Sequence, residues 1–98
     1  MRGHDISTNT ELQQIVWACH SHWKTQPLPV DLRGICHTGV SRVYRARFES
    51  TFTPQKLSIL ARLGILAKDD TSRGGSRRYY TIPNPEKVDA LLREWSLG

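Results

Sequence analysis

Between residues 53 and 85 the chain is punctuated in a way that few folds accommodate. Thr53-Pro54 opens a segment of helically spaced apolar residues, and Gly64 closes it directly after Leu63. Proline at a first helical position sacrifices no hydrogen bond, and a glycine just past the last periodic residue takes the left-handed geometry that ends a helix without a Cβ penalty. The pattern predicts a helix over 53–63, with Thr53 as its cap and Phe52 placed to staple against Leu57. Leu57, Leu60, Ala61 and Leu63 turn inward on its wheel, while Gln55, Ser58 and Arg62 form an outward row with Lys56 and Ile59 at its flanks. Two strand-forming stretches follow, 65–70 and 77–82, around a loop, 71–76, whose Gly74-Gly75 pair suits a projecting hairpin tip. Asn84-Pro85 then repeats the cap-and-proline start for a closing helix with Val88, Leu91, Leu92 and Trp95 on one stripe.

Upstream, Leu12, Ile15, Val16, Cys19 and Trp23 recur at the spacing of one helical stripe over 10–24, with Thr8, Asn9 or Thr10 available to cap it. Pro27 and Pro29 stop that helix near Thr25. Val30, Leu32, Ile35 and Cys36 fit a short helix or a short strand, followed by a turn at residues 37–39, and so short a run leaves both open. Val40, Val43, Tyr44 and Phe48 share a stripe, with Arg42, Arg45 and Glu49 facing away, which predicts a helix over 40–49. Trp17 lies opposite the stripe of the first helix and is expected to be exposed in a monomer, covered either by residues 25–39 or by a second subunit.

Ninety-eight residues, 38% of them hydrophobic and 23% charged, with a mean hydropathy of −0.49, suit one soluble domain over 9–98 behind a disordered tail at 1–8. No apolar run reaches the roughly 20 residues of a membrane span, and the amino terminus lacks the apolar stretch of a secretory signal, so a cytoplasmic location is expected. The formal net charge of +5 is localised: residues 33–78 hold ten Lys and Arg against three Asp and Glu, and both flanks are slightly acidic. A basic region in one segment fits a polyanionic partner.

The end of the 53–63 helix (Leu60-Ala61-Arg62-Leu63-Gly64-Ile65-Leu66), the basic glycine turn and Arg77-Arg78-Tyr79-Tyr80-Thr81-Ile82 resemble the winged helix-turn-helix superfamily. Within it they are similar to the recognition-helix end and wing of arsenical-resistance-repressor-like (ArsR-like) regulators, over residues 53–98. The resemblance implies a mostly α fold with a small β-hairpin: a three-helix core, a hairpin wing and a C-terminal helix. It also implies binding of double-stranded DNA, with helix 53–63 in the major groove and the wing at 71–78 on the backbone or in the minor groove. Residue chemistry suits those roles. Gln55, Ser58 and Arg62 carry groups that match base edges, Lys56 suits a phosphate, and Arg73, Arg77 and Arg78 around the Gly74-Gly75 pair place positive charge on a projecting loop. Arg42 and Arg45 are further candidate phosphate contacts. Because the first and last helices pair subunits in that family, Trp17, Leu91 and Trp95 are candidates for a homodimer interface. A transcriptional regulator is the expected function. The alternatives are a component of a DNA-processing assembly or a protein-interaction adaptor.

Other chemistry finds less support. Cys19 falls inside an apolar stripe, and Cys19, His20, His22, Cys36 and His37 lack the close loop spacing of structural zinc ligands, so no metal is expected. Two cysteines are too few for a disulfide scaffold and are read as thiols. No nucleophile–base signature or phosphate-cradling glycine loop occurs, and Asp69-Asp70 reads as a turn-forming pair. No enzyme activity, cofactor or small-molecule substrate is therefore expected.

Overall fold

A computed structural model describes residues 6–69 and 79–97, apart from the side chain of Asp31. Four helices and a two-stranded antiparallel sheet make up its regular structure: α1 (Thr10–Lys24), α2 (His37–Phe48), α3 (Gln55–Arg62), β1 (Ala67–Lys68), β2 (Tyr80–Thr81) and α4 (Pro85–Glu94). The chain is thus mostly helical, and α1 lies at its centre, packed against α2, α3 and α4.

Of the three caps the sequence offers α1, Asn9 is used: its Oδ1 accepts from Leu12 N at 3.0 Å. The buried face includes the predicted stripe of Leu12, Ile15, Val16, Cys19 and Trp23, and extends to Ala18 and His20. That widening follows from the central position of α1, which has neighbours on more than one side. Ahead of it, Ile6–Thr8 forms a single 3-10 turn at the end of the 1–8 segment expected to be a disordered tail, of which residues 1–5 lie outside the described residues. Gln13 Nε2 donates to the carbonyls of Ile6 and Ser7, and Ile6 packs on the core, contacts that local composition does not encode.

Residues 30–36 combine both sequence alternatives. Val30–Leu32 is a 3-10 turn, and Ile35 then forms an isolated antiparallel bridge to Tyr80 through two backbone hydrogen bonds of 2.8 Å. The turn expected at residues 37–39 is instead the first turn of α2, so the helix starts three residues earlier than predicted and ends at Phe48 rather than 49. Gly39 sits inside that turn because α1 and α2 approach closely there: a Cβ on it would lie 2.5 Å from His22 Nε2. Glu49 closes α2 in the left-handed region, at φ 53°.

The link from α2 to α3 is held by an aromatic cluster. Phe52 is buried edge-on against Tyr44 and His37, at 5.1 and 5.0 Å between ring centroids, and His37 Nε2 lies 2.7 Å from the Phe52 carbonyl. Leu57 and Leu60 anchor α3 beneath its exposed face, each burial contributing about 1.5–3 kcal/mol. The start of α3 differs from the prediction of a Thr53 cap with Pro54 as first helical residue. Pro54 is the cap residue, no side chain caps the helix, and the Thr53 carbonyl accepts from Lys56 N instead. Its end agrees with the prediction. Gly64, at φ 82°, donates to the Ala61 carbonyl and Ile65 N to that of Leu60, the paired bonds of a Schellman cap.

The strands are shorter than the predicted 65–70 and 77–82, with Ala67 opposite Thr81 and Lys68 opposite Tyr80. At α4 the predicted Asn84 cap forms, accepting from Lys87 N at 3.2 Å, and Pro85 is the first helical residue.

Candidate nucleic-acid interface

The outward row of α3 divides into residues that are free and residues that are engaged. Gln55 and Arg62 are exposed, near opposite ends of the helix, and Arg62 makes no ion pair among the described residues. Seven residues apart, they stand about 10 Å from one another along the axis. Ser58 between them is half-buried, and its Oγ lies 3.2 Å from the hydroxyl of buried Tyr80, so its hydrogen-bonding capacity is partly used inside the fold. Lys56 pairs with Glu11 of α1, Nζ to Oε1 at 2.9 Å.

Two shallow depressions flank this row. One, of about 330 Å³, is lined by Gln55, Ser58, Ile59 and Arg62. The other, of about 580 Å³, lies between α3 and β1, where Arg62 and Ser58 meet Ala61, Leu66, Ala67 and Lys68. Lys68 is exposed and free of ion pairs among the described residues, and it stands as the second cation at this edge. Sequence reasoning placed Lys68 in the basic region without assigning it a role. Strand alternation, with Ala67 half-buried and Lys68 out, was the available signal.

On α2, Arg42 and Arg45 are exposed and line a third depression of about 450 Å³ with Thr38, Ser41 and Ala46. The spacing of these two arginines puts them on one helix face, and neither makes an ion pair among the described residues. Arg47, also on α2, is used differently, its guanidinium sitting 4.4 Å above the Trp17 ring and 5.2 Å from that of Phe48. Of the predicted wing residues, Arg73, Gly74, Gly75, Arg77 and Arg78 lie outside the described residues. Tyr79 and Tyr80 divide as strand geometry requires, Tyr79 half-exposed and Tyr80 buried.

Trp17 departs from its expected exposure. It is half-buried, packed edge-on against Phe48 at 5.7 Å and covered by Arg47, so its cover comes from α2 and not from residues 25–39. Helix-wheel reasoning treats one helix alone and does not see that α2 crosses on that side. Leu91 on α4 and Trp95 at its C-terminal cap are half-buried, and Trp95 Nε1 is buried with no hydrogen-bond partner among the described residues.

Histidine and cysteine chemistry is largely internal. Burial pushes the Cys19 thiol far above its ordinary range, which leaves it protonated and unreactive. His20, stacked on Trp23, and His22, against Gly39, both have depressed pKa values. Burial is the larger cause in each, reinforced by Lys24 at His20, where Asp89 acts in the opposite sense, and by Arg42 at His22. Among the described residues no three His, Cys, Asp or Glu side chains are grouped so as to hold a metal ion, and no helix is long and apolar enough to cross a membrane.

No family model, curated protein or solved structure matches this chain.

Proposed function

We propose that this chain is a winged helix-turn-helix protein that binds double-stranded DNA, with α2 and α3 as the helix-turn-helix and β1, β2 and their connection as the wing. The observation that carries the reading is the face of α3. An exposed amide and guanidinium, Gln55 and Arg62, lie along one stripe, and Arg62 shares a depression with Lys68, neither cation being neutralised among the described residues. Guanidinium and amide groups match the donors and acceptors on guanine and adenine edges, and further cations supply sequence-independent attraction to phosphate. Arg42 and Arg45 suit that second role, as do Arg73, Arg77 and Arg78 by their charge. The activity proposed is binding itself: a homodimer on a two-fold-related site would regulate transcription by occupying it, at a cytoplasmic location.

A second reading, a component of a DNA-processing assembly with little sequence choice, is favoured by the engagement of Ser58 with Tyr80 and of Lys56 with Glu11. Those bonds leave a short row for base edges, and each well-formed base contact supplies only about 1–3 kcal/mol of discrimination.

The test is a titration of the purified chain against random-sequence duplexes at two salt concentrations, with the bound fraction sequenced. Enrichment of a two-fold-related motif supports the regulator, and salt-sensitive binding without a motif supports the processing role. No binding at either salt refutes both and turns attention to an acidic protein partner.

A further inference from the structure

Lys56 is the second residue of α3, and the carboxylate it meets, Glu11, belongs to the first turn of α1. The pair lies at the surface, with 30% of the lysine side chain and 43% of the glutamate side chain exposed. Exposed ion pairs of this kind are weak and exchange readily with other anions. A carboxylate offers an ammonium much the same partner that a phosphate diester does, anionic oxygens at hydrogen-bond distance. Both charges are also felt by buried Tyr44, whose phenol is pushed up chiefly by burial and then by Glu11, with Lys56 acting in the opposite sense.

We propose that Glu11 is an internal competitor for Lys56, occupying the cation at the start of α3 and so limiting affinity for the phosphate backbone while leaving base readout by Gln55 and Arg62 unchanged. The inference rests on the duplex-binding reading given above. For Lys56 to engage a phosphate, its bond to Glu11 must break, and the released carboxylate is then left beside an anionic backbone, where like charges repel. Glu11 therefore lowers affinity for every duplex alike.

The test compares the full chain with Glu11→Gln, Lys56→Gln and the double variant, each titrated with the same duplexes at several salt concentrations. Glutamine keeps the length of the side chain and removes its charge. Glu11→Gln is expected to bind all duplexes about two- to five-fold more tightly at low salt. Its log affinity against log salt should steepen by about 0.9, the signature of one added phosphate contact, with the order of sequence preference unchanged. In the Lys56→Gln background the same change should give a clearly smaller gain, because the cation it would release is gone and only the repulsion between the carboxylate and the backbone is removed. Affinity of Glu11→Gln at or below that of the parent overturns the inference. So does an equal gain in the Lys56→Gln background, which would trace the effect to net charge alone. If the parent chain binds no duplex, the duplex-binding reading fails and carries this inference with it, whereas parent binding unaltered by Glu11→Gln overturns the inference alone. Should Glu11→Gln melt early, Glu11→Ser carries the same expectations.

Discussion

At Arg62 a guanidinium without an ion pair among the described residues ends the exposed stripe of α3, and such a group donates two parallel hydrogen bonds to guanine O6 and N7. Under the duplex-binding proposal, Arg62→Ala should weaken the preferred site by roughly ten-fold and bulk duplex far less. The paired change Arg77→Ala with Arg78→Ala should weaken all duplexes and flatten the salt slope. Competition binding between enriched and scrambled duplexes checks both, and an equal loss on every sequence from Arg62→Ala would remove its base-reading role. Gly39 carries a purely structural prediction. A methyl group there meets the His22 ring at 2.5 Å, so Gly39→Ala must push the ring aside, a penalty expected to offset the roughly 1 kcal/mol of better helix propensity that alanine brings. In a His22→Ala background the penalty should vanish and a gain of up to about 1 kcal/mol should emerge, measurable by urea denaturation. Persistence of the penalty there would show that the clash is not its cause.

Among the elements, the end of α3 turns on backbone geometry alone. Gly64 has φ 82° and nothing within 4 Å of where a Cβ would sit, so Gly64→Ala has no steric neighbour to meet and only left-handed strain to bear. That strain costs about 1–2 kcal/mol, which for a domain of this size lowers the thermal midpoint by several degrees, roughly 4–8 °C per kcal/mol. An unchanged midpoint in calorimetry would contradict the Schellman assignment. The same stop was legible in the sequence, because a glycine after a periodic apolar run is a local signal, and so was the start of α4 at Asn84-Pro85. The start of α2 was not legible. His37 and Gly39 look like a turn in isolation, and they become helical where His37 meets the Phe52 carbonyl and Gly39 admits His22, partners distant in sequence.

For the whole molecule, acid should be destabilising near neutrality. The pKa values of His20 and His22 are depressed from their ordinary value of 6.5, so below that value the unfolded chain binds more protons than the folded one. Stability is therefore fully present above about pH 6.5 and is lost as the pH falls from there toward the folded-state values. Urea midpoints at pH 7.5 and 5.5 should show the decline, and His20→Gln with His22→Gln should flatten it. A midpoint independent of pH in the parent chain would rule out this linkage. What the sequence alone determined was whatever local physics controls: the helical stripes of α1, α3 and α4, the glycine stop after α3, the cap of α4, the antiparallel strand pair and the concentration of positive charge in the middle of the chain. Tertiary structure decided which side chains remain available. Trp17 is covered by Phe48 and Arg47, Ser58 is tied to Tyr80 and Lys56 is paired with Glu11, because each contact joins segments that no periodicity or spacing connects. A helix wheel shows which way a residue points, but its partner is set by where the next helix crosses, and that follows from packing the whole core around α1.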